Sequence, residues 1–123
     1  MAKFYRCPRC GKTLLVIKGI SAPACCGEAM ELLEAGAVDA ATEKHVPVVT
    51  RTDTGIDVNV GSVDHPMLEA HYIQWIALVD GARTEIHTLE PEAAPKTSFV
   101  GPIADGAEVF EYCNLHGLWK ATV

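Results

Sequence analysis

The sequence predicts an all-β chain in two parts: a small cysteine-rich metal knuckle over residues 1–36, then an antiparallel β-sandwich over residues 37–123. Three observations carry this prediction. Four of the five cysteines crowd into the first 26 residues. From Val46 onward, about seven short β-branched runs are divided by turn signals. No stretch keeps a helical period for longer than a turn.

The N-terminal part offers few large apolar residues, so a module of this size needs a staple to stay folded. Short strands are expected at Phe4–Cys7 and Thr13–Lys18, followed by a Gly/Pro loop into Cys25-Cys26. A linker around Gly36–Thr42 leads into the sandwich. There, His45–Arg51 and Ile56–Val60 flank Asp53-Thr54-Gly55, a hairpin turn. Ile56, Val58 and Val60 alternate with Asp57 and Asn59, the period of a half-buried strand. A longer strand is expected over Glu69–Val79, turning at Asp80-Gly81. Further strands follow at Arg83–Leu89, Thr97–Val100, Glu108–Cys113 and Leu118–Val123. Tyr72, Trp75 and Trp119 are assigned to core packing, with Trp119 close enough in sequence to Cys113 and His116 to shield them from water.

Bulk properties narrow the function. Of the 123 residues, 49% are hydrophobic and 21% charged, as in a soluble globular protein. A formal charge of −6 with no run of Lys and Arg argues against a nucleic-acid partner. The apolar run Tyr72–Val79 is too short to span a membrane. No apolar core of signal-peptide length follows Met-Ala-Lys-Phe-Tyr-Arg, so a cytoplasmic location is expected. An odd cysteine count in such a chain argues against a disulfide framework and for metal ligation or thiol chemistry.

Cys7-Pro8-Arg9-Cys10 and Cys25-Cys26 supply the thiolates of a tetrahedral site. Adjacent strand residues point to opposite faces, so Cys25-Cys26 must turn sharply for both to ligate. Zinc and iron both accept four thiolates, and spacing does not separate them.

A second constellation is spread over the rest of the chain. His45, His65, His71 and His116, with the unpaired Cys113, fall at loop–strand junctions, which a sandwich gathers at one end. His87 lies in an alternating run and reads as an ordinary strand residue. Zinc rarely takes five protein ligands. A blue-copper site takes two His, a Cys and usually an axial Met, yet no Met follows Met67. Ferrous iron suits neutral imidazoles with one electron-rich thiolate and keeps a sixth position open. Two other classes compete: an electron-transfer protein using only the four-cysteine centre, and a copper carrier on the same sandwich.

The pieces C-P-R-C, C-C, E-K-H-V-P, H-P-M, H-Y-I-Q-W-I and C-N-L-H-G-L-W-K run in an order that resembles desulfoferrodoxin, the two-iron class of superoxide reductases, along essentially the whole chain. The resemblance implies a desulforedoxin-like domain followed by an immunoglobulin-like sandwich, with two iron ions per chain. One iron would lie on Cys7, Cys10, Cys25 and Cys26. The other would be ringed by His45, His65, His71 and His116, with Cys113 axial. It implies one-electron reduction of superoxide to hydrogen peroxide, as protection against oxidative stress. Lys44 would attract the anion and help deliver protons, and Glu43 would reach the open position of ferric iron. It also implies electron transport from a rubredoxin-type donor, and a homodimer.

Overall fold

The computed structural model describes residues 3–123. It divides between Glu34 and Ala35 into two compact units. In the first, β1 (Lys3–Arg6) and β2 (Thr13–Val16) pair antiparallel in the register Tyr5↔Leu14. Three two-residue strands follow: β3 (Ala24–Cys25), β4 (Glu28–Ala29) and β5 (Glu31–Leu32). β5 joins β1 on its other edge, while β3 and β4 make a separate hairpin. These three strands lie in the segment the sequence assigns to loop and its continuation, being too short for any periodicity. The apolar cluster of this unit is Tyr5, Cys7 and Met30, with Leu14, Val16 and Cys25 against it.

The second unit is a β-sandwich. A single helical turn, α1 (Thr42–His45), precedes β6 (Pro47–Arg51) and β7 (Gly55–Val60). Then come β8 (Ile73–Asp80), β9 (Arg83–Thr88), β10 (Lys96–Val100), β11 (Glu108–Cys113) and β12 (Gly117–Thr122). One sheet has the order β10-β7-β6 and the other β12-β11-β8-β9, with all neighbours antiparallel. Ile56, Val58, Val60 and Phe99 from the first sheet meet Ile73, Ile76, Leu78, Val109 and Cys113 from the second in one buried cluster. Burying each large apolar side chain contributes about 1.5–3 kcal/mol. The alternation of β7 is realised, with Ile56, Val58 and Val60 buried and Asp57 exposed.

Two strand starts differ from expectation by more than one residue. His45 ends α1 instead of opening β6, because Val46 N–H closes the turn on Thr42 O at 2.9 Å. Pro47 then ends it, since a residue before proline is driven to extended backbone, as Val46 is. The long strand opens at Ile73, not Glu69. Residues 68–71 form a tight turn in which the Leu68 and His71 backbones exchange hydrogen bonds of 2.9 and 3.0 Å.

Trp75 and Trp119 are buried, and Tyr72 packs against the core cluster. His87 ties the edge strands β9 and β10 together. Its Nε2–H donates to Glu85 at 2.7 Å, its Nδ1 lies 2.6 Å from the Thr97 hydroxyl, and its ring stacks on Phe99. No helix among the described residues is long and apolar enough to cross a membrane.

Candidate metal centres

The first unit brings Cys7, Cys10, Cys25 and Cys26 together. Cys7 directly follows β1, and a tight loop returns Gly11 N–H to Cys7 O at 3.0 Å, folding Cys10 back beside it. The Cys10 N–H points at Cys7 Sγ from 3.5 Å. The sharp turn demanded of Cys25-Cys26 is the β3–β4 hairpin. Cys25 pairs with Glu28, and the two loop residues both have positive φ, Cys26 at 54° and Gly27 at 79°. Such turns need left-handed backbone, which glycine adopts freely and cysteine rarely. Outside the ligands, Arg9 and Glu28 join the two cysteine loops in an exposed ion pair of 3.1 Å.

The sulfurs of Cys10 and Cys25 are 3.7 Å apart and those of Cys25 and Cys26 are 3.8 Å apart. Sulfurs ~2.3 Å from one ion in a tetrahedron stand ~3.8 Å from each other, so the spacing fits. The chemistry of the thiols agrees. The Cys10 backbone N–H holds Cys7 down to about 6, whereas the Cys25 thiol is the main cause that pushes Cys26 up to about 12. Cys25 is raised as well, chiefly by Cys10. Four thiolates this close repel, and a bound cation is what allows all four to ionise.

The second unit brings His45, His65, His71, His116 and Cys113 together at one end of the sandwich. The four rings form a closed circuit, each roughly perpendicular to the next. Centroid separations are 4.7 Å for His45–His65, 4.7 Å for His65–His71, 5.1 Å for His71–His116 and 4.9 Å for His45–His116. Hydrogen bonds settle two tautomers. His45 Nδ1 lies 2.7 Å from Ala41 O and His65 Nδ1 lies 2.6 Å from Pro66 O. A carbonyl only accepts, so both Nδ1 atoms carry the proton. The two Nε2 atoms are then bare lone pairs, yet they face each other at 3.2 Å. His116 Nδ1 is also 3.2 Å from His45 Nε2. Nitrogens at right angles ~2.1 Å from one ion stand ~3 Å apart. His71 Nε2 is buried with no hydrogen-bond partner. The bare His45 and His65 nitrogens, converging with no proton between them, are donors that a cation would satisfy.

Burial is the first cause that holds His45 and His71 below the usual imidazole range and His65 down to about 4. These three rings are therefore held in the neutral form, the one a metal needs. Cys113 is fully buried at the end of β11, where the β8 register shifts, and its sulfur is 3.9 Å from His116 Nδ1. Burial raises its thiol against the pull of the Leu115 and His116 backbone amides. Trp119 covers His45 at a centroid distance of 5.0 Å, and its Nε1–H donates to His116 O at 3.0 Å.

Glu43 and Lys44 are exposed on α1 immediately before His45. The Lys44 charge acts on both His45 and His71. The backbone beneath them is pinned, as Glu43 O accepts from Val63 N–H at 2.9 Å and Ser62 Oγ at 3.3 Å. Gly61 makes this approach possible, since a Cβ there would lie 2.7 Å from Glu43 O. Glu111 went unremarked in the sequence. It is fully buried two residues before Cys113, its oxygens have no hydrogen-bond partner, and burial raises its carboxyl well above the usual range. Its phase with Val109 and Cys113 along β11 was the available signal.

Four imidazoles, rather than the two of a blue-copper site, converge with the thiol, and Met67 belongs to the hydrophobic core instead. A β-sandwich with this donor set, in one chain with a four-thiolate module, defines a non-haem metalloprotein with two centres. The desulfoferrodoxin family model matches residues 37–122. A desulfoferrodoxin of Syntrophotalea carbinolica is 47% identical over 119 residues, covering 95% of this chain and 93% of that protein. A superoxide reductase of Thermococcus kodakarensis is 34% identical over 66% of this chain and 86% of its own length. The crystal structure of the superoxide reductase from Treponema pallidum superposes with a TM-score of 0.81 at 34% identity, covering 98% of each chain. The chain belongs to the desulfoferrodoxin family.

Proposed function

We propose that this chain is a superoxide reductase, converting superoxide to hydrogen peroxide with one electron and two protons. The observation that carries the reading is the closed circuit of four imidazoles with a buried thiol, in which the His45 and His65 Nε2 atoms face each other with no proton between them. His45, His65, His71, His116 and Cys113 would hold one iron, and Cys7, Cys10, Cys25 and Cys26 a second. Ferrous iron held by the first set would supply the electron.

The remaining work falls to the protein. Four neutral imidazoles and one thiolate cancel only one unit of a divalent charge, so the site attracts an anion. Lys44, exposed beside His45, strengthens that attraction and holds a proton at Nζ for delivery. Glu43, exposed on α1 two residues before His45, would offer a carboxylate to the oxidised metal. Ala41 O and Pro66 O orient two rings and keep their inward nitrogens bare. The buried Cys113 thiolate would donate electron density to the metal, and Trp119 shields His45 from water.

The domains run over residues 1–36 and 37–123, a reading supported by the unit boundary at Glu34–Ala35 and the start of the family match at residue 37. The resemblance to the family extends this reading to a homodimer supplied with electrons by a rubredoxin-type donor, and the sequence features noted above extend it to a cytoplasmic location. Rapid mixing of the reduced, iron-loaded chain with superoxide tests the activity. Stoichiometric oxidation is expected, with peroxide formed, no oxygen released, and a long-wavelength thiolate band that disappears in Cys113→Ser. Copper, or one metal per chain, overturns the reading.

A further inference from the structure

The buried Nε2 of His71 has no hydrogen-bond partner among the described residues, and no backbone carbonyl is recorded on its ring as one is on those of His45 and His65. Its placement in the circuit is therefore inherited from its backbone, and that backbone is gripped by one side chain. Asn114 Nδ2 donates to Ala70 O at 2.9 Å, and Asn114 Oδ1 accepts from Tyr72 N–H at 2.9 Å. These two groups belong to the peptide planes on either side of His71. The Asn114 backbone N–H adds a contact of 3.3 Å to Tyr72 O. Asn114 itself lies between two other members of the cluster, Cys113 and His116.

We infer that Asn114 is a positioning residue, a two-point clamp that holds His71 in register with Cys113 and His116 before any metal arrives. The primary amide is the group for this task, because its donor and acceptor match the C=O and N–H that a neighbouring strand would otherwise engage. The clamp replaces the expected strand pairing over residues 69–72, where the chain turns instead. This inference rests on the cluster being a metal site, and its test is a binding measurement independent of turnover.

The full chain, stripped of metal and with its four-cysteine site refilled with cadmium, is titrated with Co²⁺ and followed by visible absorption. Asn114→Ala is expected to weaken Co²⁺ binding about 10- to 100-fold, the range for residues that orient metal ligands. Asn114→Asp, which keeps the acceptor for Tyr72 and loses the donor to Ala70, is expected to fall between the parent and Asn114→Ala. The decisive arm is the double-mutant cycle with His71→Ala. If Asn114 acts through His71, the same substitutions in that background change Co²⁺ affinity less than about 2-fold. Equal losses in both backgrounds, or none in either, overturn the clamp. A parent chain that fails to bind Co²⁺ at this cluster sinks the metal reading itself, and the clamp with it.

Discussion

The two metal centres are assembled by opposite routes. In the first unit the ligands are near neighbours in sequence, and the fold around them is slight, with Tyr5, Cys7 and Met30 forming its buried cluster. One of those three is itself a ligand. In the second unit the ligands run from His45 to His116 and are brought together by a sandwich whose buried cluster draws on both sheets. Its tautomers are set by backbone carbonyls, and a buried nitrogen waits without a partner. The contrast separates a site that makes its fold from a fold that makes its site.

Removing both metals tests this contrast most severely. Metal binding by small thiolate modules contributes about 10–16 kcal/mol in zinc-finger peptides, which is folding energy. The stripped chain is expected to lose amide-exchange protection over residues 3–34 while the strands from β6 to β12 keep theirs. Equal loss in both units would break the comparison.

A middle-sized effect is expected from Lys44→Ala. Without that charge beside His45 and His71, the bimolecular rate with superoxide should fall about tenfold at low ionic strength, and its salt dependence should flatten. Stopped-flow measurement across ionic strengths checks this, and an unchanged salt slope removes Lys44 from the steering role.

The smallest effect lies far from either centre, at the Glu85–His87–Thr97 strap. Arg83, then His87, hold the Glu85 carboxyl below its ordinary value of 4.5. A carboxylate depressed in the folded state stabilises above that ordinary value, and the contribution is lost as pH falls through the lower folded one. The interactions are solvent-screened, so Glu85→Gln should cost less than about 1 kcal/mol at pH 7, and that cost should vanish in acid once the parent carboxyl is protonated. Denaturant unfolding at pH 7 and in acid measures it, and the cobalt affinity of the sandwich site should not move.

Much of this was legible beforehand because it is local. The strand alternation of β7, the C-P-R-C knuckle and the turn at Asp80-Gly81 depend on residues within a few positions of each other. The helical turn at α1 was not legible, since one i→i−4 bond ahead of a proline leaves no periodic trace. Nor was the end of the expected strand at Glu69, because the competing partner for the Tyr72 amide, Asn114, lies 42 positions away. Glu111 stayed hidden for a related reason. Its burial follows from pairing with β8 and β12 on both sides, which a single strand does not reveal.

By itself, the sequence determined the all-β class, the sandwich strands and the nine candidate ligands, because residue chemistry, turn signals and spacing are local properties. Only the tertiary structure decided that four imidazoles close into a perpendicular circuit and that two of their nitrogens meet without a proton between them. It also placed one asparagine across both peptide planes flanking His71. Those facts depend on distances between residues remote in the chain, which packing sets and sequence order does not.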